Sequence, residues 1–522
     1  TKPSSPPNHT AICYLHPQVN PSAPRAAASF SPLCLCRRLF LLPPHLHRLR
    51  PATSSITMWR AEEIEDEATL TALMEAAKTR EGRAALSDAL AGTLCLLPAS
   101  PVPLLLLRLR LIRNLLAGDS NNQRTFVLLS GPAAVVSSVL ALPSLTPDVA
   151  RAALQALGNA ALGGDQNREA VWDALFPGAL REFARVWDAG VVDPFCMVLD
   201  TCCSGKAGRG RLQELCHEDM GLPILVELVT TASRVGHKEE WLEWLLIKIC
   251  VEEEMFEILF TALCSTDSAE QSDGGESGSG FTARHSFLLG TLSKYLTERP
   301  EEVIISNSFA LHVSNVQKHA AEIVDFTCRA SSALPTGCPG IDVLGYSLLL
   351  LKDICAWEPA SSETEAPVDS LLQAGLVKRL LKYLGDLEPP STIRKAMAKE
   401  QGDQQPALTS AKVCPYNGYR RDLVAVIANC LHGRKQVQDE VRQLNGIMLL
   451  LQQCVIDEGN AYLREWGLFA VKNLLEGNVE NQKEVSELKM QETILTPEIA
   501  DIGLRVEIDK KTGHPKLVNS SS

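Results

Sequence analysis

The chain has 522 residues, of which 45% are hydrophobic and only 5% aromatic, and a formal net charge of −12. That length exceeds what one compact core holds, so several domains or an elongated repeat array are expected. An acidic, Leu/Ala-rich chain favours helices packed on helices, and its charge repels phosphate backbones and anionic lipid, so neither a nucleic-acid nor a membrane partner is expected.

Residues 1–57 contain no Asp or Glu but ten Pro, four His and six basic residues. This segment reads either as a transit-like leader or as upstream sequence ahead of a start at Met58, and it is expected to be disordered. His45 and His47 stand beside Pro43-Pro44, where a metal pair has no frame to hold it. Without this segment the chain has 44 basic and 62 acidic residues, a net of −18.

Residues 58–264 carry a repeat. "LRLIRNLLAGDSNNQRTF" ends an apolar run around Asn114, and "LQALGNAALGGDQNREAV" does so around Asn159. The same pattern returns as "VAVIANCLHGRKQVQDEV" around Asn429 and "LFAVKNLLEGNVENQKEV" around Asn473. A weaker copy centres on Ser204. Asn114 to Asn159 is 45 residues, Asn159 to Ser204 is 45, and Asn429 to Asn473 is 44. With the Asn as position zero, apolar residues at −5, −3, −2, +1 and +2 share one arc of a 3.6-residue helix. Position +4 is always Gly (Gly118, Gly163, Gly208, Gly433, Gly477), which suits the left-handed residue that ends a helix. Thr146-Pro147 and Asp193-Pro194 are read as caps followed by Pro at the first helical position. Gly131, Gly221 and Gly446 each open a further apolar run. Three helices per unit at a mid-forties period predict an all-α armadillo/HEAT-type α-solenoid, a superhelical stack of three-helix repeats.

Tempting loops have plainer explanations. "VPLLLLRLRLIRNLL" is interrupted by three Arg long before a bilayer span. "SGKAGRG" (204–210) lacks phosphate-loop spacing and falls where the repeat needs a turn. Glu252, Glu253 and Glu254 are read as a solvated helix face, since consecutive residues diverge. The sixteen Cys form no C-x-x-C pair and are read as buried small hydrophobes in a reducing compartment. No catalytic set, metal site or cofactor site is expected.

Beyond the repeats, 265–283 is an acidic Gly/Ser-rich stretch, expected to be a disordered loop. Residues 284–400 keep helical patterning while the repeat degenerates. Residues 410–490 restore it, and 491–522 form a tail with a hairpin-like alternation in "RVEIDKKTGHPKLVN".

The C-terminal block resembles the ataxin-10 family. The resemblance rests on Asn417-Gly418-Tyr419, Asn445-Gly446-Ile447, Asp457, Arg464-Glu465-Trp466, Asn473-Leu474 before Asn481-Gln482, and the tail "GLRVEIDKKTGHPKL". It covers roughly 410–515. It implies a non-enzymatic, cytosolic armadillo-like scaffold, associated with cytokinesis and cell survival through protein partners. The candidate partner-contact residues lie at position zero and on the face beside it: Arg110, Asn114, Gln155, Asn159, Asn429, Trp466, Phe469 and Asn473. A structural role for the repeated Asn is the first expectation, and partner contact the second. The alternative is a karyopherin-like import adaptor binding basic peptides. That class carries Trp at −4, where this chain has Arg110, Gln155, Ala425 and Phe469.

Overall fold

A computed structural model describes residues 66–236, 239–264, 280–327, 332–357, 366–395, 412–488 and two short strands beyond them. The chain divides into two units, Thr1–Ile56 and Thr57–Ser522. The first, with the expected disordered segment 1–57, lies outside the described residues, as do 265–279 of the acidic stretch and most of the tail. The described part of the second unit is built of helices, with one hairpin in which Leu504–Ile508 pairs antiparallel with Pro515–Asn519.

The repeats appear as helix triplets. Val102–Leu116, Ser120–Leu128 and Gly131–Leu140 form one; Pro147–Ala161, Asp165–Leu175 and Gly178–Ala184 form the next. Ala189–Cys202, Gly208–Cys216 and Leu222–Val235 follow, and Tyr419–Leu431, Lys435–Gln443 and Gly446–Leu451 repeat the plan. The degenerate stretch holds a full triplet too: Pro339–Ala356, Pro367–Gln373 and Leu376–Asp386. The first helix of each unit is a rung. Rungs Glu67–Ala76, Val102–Leu116, Pro147–Ala161, Ala189–Cys202, Glu240–Ile247, Ala283–Glu298, Pro339–Ala356, Tyr419–Leu431 and Leu463–Leu475 pack each against the next.

The apolar offsets form this core. Leu109, Leu111, Ile112, Leu115 and Leu116 are fully buried, as are Leu154, Ala156, Leu157, Ala160 and Ala161, and Val424, Val426, Ile427, Cys430 and Leu431. Where position +17 is Gly, there is a steric reason: a Cβ on Gly131 would sit 2.3 Å from the Phe126 ring, and one on Gly446 2.8 Å from Val441. Both obstacles are the apolar residue at +12.

Three local expectations are corrected. The helix at 189–202 starts a turn before Asp193-Pro194; Asp188 caps it by accepting from the Gly190 N–H, and Pro194 lies inside the helix. Uncapped, Asp193 is half-buried, and desolvation with the neighbouring Glu239 and Glu240 charges raises its pKa to about 6. The left-handed turn residue is Gly118, Gly433 and Gly477 as expected, but Gly164 and Gly205 replace Gly163 and Gly208. There, position +4 is held by contact instead: a Cβ on Gly163 would meet Asn167 at 2.6 Å, and one on Gly208 the Cys203 carbonyl at 2.2 Å. Glu252 closes a π-helical turn, Lys248–Glu252, and Glu254 beyond it is left-handed, so the three glutamates do not share a helix face.

Candidate interaction surface

The repeated Asn is a rung-to-rung tie. Asn159 Nδ2 donates to the Arg113 carbonyl at 2.9 Å, and Asn473 Nδ2 to the Ala428 carbonyl at 2.9 Å. Asn114 reaches Met74 O at 3.3 Å and Asn429 reaches Lys352 O at 2.9 Å. Arg113 and Ala428 each stand one residue before the Asn of their own rung, so the contact repeats in register. By the same register Asp353 holds position zero in its rung. A carboxylate cannot donate, and it instead accepts from Thr297 Oγ1 of the preceding rung at 2.6 Å. In the weak copy, Ser204 is too short to cross and donates to Thr201 O of its own helix.

A second ladder lies eight residues on, and the sequence reading did not isolate it. Asn122, Asn167 and Asn481 sit in the second helix of their units. Each bridges the preceding unit (Arg83 O, Gln123 O, Gln438 O) and its own rung (Leu115 O, Ala160 O, Leu474 O). Its signal was present as the Asn in "SNNQ", "GDQN" and "VENQ". In the Asn429 copy that position is Val437, and the neighbouring Gln438 donates to Asn473 O at 2.8 Å.

The predicted contact residues therefore divide. Asn159 and Asn473 are buried, with their donors engaged inside the protein. Asn114 and Asn429 are half-buried beside the open face. There Arg113 donates to Asn114 Oδ1 and to Gln155 Oε1 at 3.0 Å, joining two neighbouring rungs, and Arg110 flanks them half-exposed. Further on, Asp200 pairs with Lys248 at 3.6 Å. Polarity along this face is mixed. Trp466 and Phe469 come together in the last described rung, half-buried, with ring centroids 5.8 Å apart at 74°.

Around this last rung the surface turns apolar. Met448, Ile456, Tyr462, Leu468 and Val479 all stand exposed, from 50% to 69%. Leu468 holds the −5 position, which is fully buried in the other three Asn-centred copies. Among the described residues no later rung covers it.

Among the described residues no three His, Cys, Asp or Glu side chains gather as a metal-ion site, and no helix is long and apolar enough to cross a membrane. The described cysteines are unbridged. Cys196, Cys202, Cys203 and Cys250 sit in the core, where burial pushes their thiols up, Cys202 to about 12, away from thiolate chemistry.

Residues 419–518 match the family model described as the Spinocerebellar ataxia type 10 protein domain. The match opens on the first residue of rung Tyr419–Leu431 and ends within the second strand of the hairpin. Ataxin-10 of Xenopus tropicalis is 25% identical over 361 residues, 68% of this chain and 68% of that protein. Residues 419–518 thus carry an ataxin-10-type domain, and the chain is similar to ataxin-10 over about two thirds of its length. Human ataxin-10 is 22% identical over 71% of both chains, and an ataxin-10 homolog of Dictyostelium discoideum is 37% identical over 91 residues, 17% of this chain and 15% of that one. Among solved structures, a designed armadillo repeat protein is 12% identical, spans 74% of this chain and 99% of its own, and has a TM-score of 0.21, too low to add to the helices seen here. The exposed apolar patch thus falls within the ataxin-10 domain.

Proposed function

We propose that this ataxin-10 relative is a non-enzymatic scaffold that docks a protein partner on the terminal rungs, around Trp466 and Phe469. The observation that carries this is the group of exposed apolar side chains from Met448 to Val479, among them Leu468, whose motif position is fully buried in the other three Asn-centred copies. Exposed apolar side chains near half-buried aromatics are a common make-up of an interface anchor. Arg110, Asn114, Gln155 and Asn429 are proposed as further polar contacts on other rungs, with Asn159 and Asn473 holding neighbouring rungs together. An import adaptor would need an aromatic at −4 in successive rungs to sandwich basic side chains, and here only Phe469 supplies one. Action in the cytosol, and in cytokinesis or cell survival, is the extension that the family resemblance suggests.

The test is Trp466→Ala, followed by thermal melting and affinity capture with the chain from Met58 onward. Half-burial predicts a loss of about 1–2 kcal/mol, below the ~3–5 kcal/mol of a core Trp truncation, with loss of a partner that wild type retains. A core-sized loss of stability with the captured set unchanged rejects the docking role.

A further inference from the structure

A pocket distant in sequence from the ataxin-10 domain has the chemistry of a cation site. It lies between the helix Phe256–Ala262, the helix Asn307–Ile323 and the residues leading into the rung Ala283–Glu298, and encloses about 220 Å³. Phe260 and Phe281 stand 6.0 Å apart at 65°, and Phe281 and His319 stand 5.5 Å apart at 73°. Phe256 lies 5.4 Å from Phe260. Phe281 is set steeply to Phe260 and to His319 while Phe256 is tilted 37° from Phe260, and all four rings line the same pocket. At the rim, Glu257 carries a carboxylate 3.3 Å from His312 Nε2.

We propose that this aromatic box binds a lysine or arginine side chain presented by a protein partner. Ring faces attract a cation through their quadrupole, and their carbon surface packs the aliphatic stem. Glu257 supplies the countercharge. The surroundings are acidic as well. Glu252 and Glu254 are exposed just before this helix. This site is independent of the docking face at Trp466.

Saturation-transfer NMR on the full chain tests it with three probes: the Nα-acetyl amides of arginine, lysine and leucine. Transfer to the methylenes of the two cations and little to leucine is expected. Phe281→Ala should abolish it, and Glu257→Gln, an exposed change that leaves the rings in place, should weaken binding about three-fold or more. Trp466→Ala should leave it unchanged. Equal transfer to leucine, no transfer to either cation, or full transfer surviving Glu257→Gln overturns the proposal; circular dichroism confirms that each variant is folded.

Discussion

An amide side chain near the end of a helix has two jobs open to it, and here the choice follows from donor geometry. Asn473 is fully buried and its Nδ2 holds Ala428 O, while its Oδ1 has no partner among the described residues. Replacement by Ala therefore deletes one hydrogen bond and one orphan acceptor together. The expected cost is about 1 kcal/mol, the low side of a buried amide's contribution, read as a shift in the urea midpoint. Asn473→Asp should cost more, because it puts a second acceptor against the Ala428 carbonyl. If Asp proves no worse than Ala, the tie is not what fixes this residue. The recurrence of the Asn was legible in sequence because it repeats at 44–45 residues. Its partner was not, because a main-chain carbonyl carries no residue identity. Asp353 stayed hidden because its tie to the preceding rung is of another kind, accepting from the side-chain hydroxyl of Thr297.

Among the elements, the start of Ala283–Glu298 shows a cap that depends on protonation. His285 accepts the Thr282 N–H at Nδ1, 3.0 Å away, and its Nε2 reaches Phe260 O at 3.1 Å, which requires the neutral ring with its proton on Nε2. Burial lowers the pKa of this ring from 6.5 to about 4. The folded state thus binds fewer protons than the unfolded state between those values. The resulting stability is present above pH 6.5 and is lost as pH falls through about 4. Wild type should lose roughly 3 kcal/mol through this group between pH 7 and pH 4, a loss absent from His285→Gln. Denaturant titrations at both pH values check it; parallel losses in the two proteins would contradict the assignment. A capping box with His in the Glu/Gln place is hard to read from sequence. The Asp193-Pro194 start failed for a related reason. Cap and Pro were correct residue types, but Asp188 offered an equally good cap one turn earlier.

Across the whole array, residues at one motif position have different fates according to where their rung stands. Leu154 is sealed between neighbours and Leu468 is 55% exposed, although both hold position −5. Leu154→Ala should cost about 2–5 kcal/mol, whereas Leu468→Ala should cost under about 1 kcal/mol. Paired thermal melts decide it, and a large loss at Leu468 would mean that something covers it in solution. Helix content, period and core offsets were legible because each unit restates them. The three-helix unit at 339–386 was legible only in outline, since the repeat degenerates there and no Asn at position zero or Gly at +4 marks its register. The aromatic box was not legible, because its walls come from residues 256 to 319 that follow no common spacing.

The asparagine ties also have a direction. Each interunit bond that an asparagine of the two ladders makes is donated by the later unit to a carbonyl of an earlier one, whereas the substitutes Gln438 and Asp353 reverse the direction. A chain leaving the ribosome amino end first always presents such a donor to an acceptor already made. Assembly can then advance one rung at a time behind the point of synthesis, and no asparagine has to wait for sequence not yet translated.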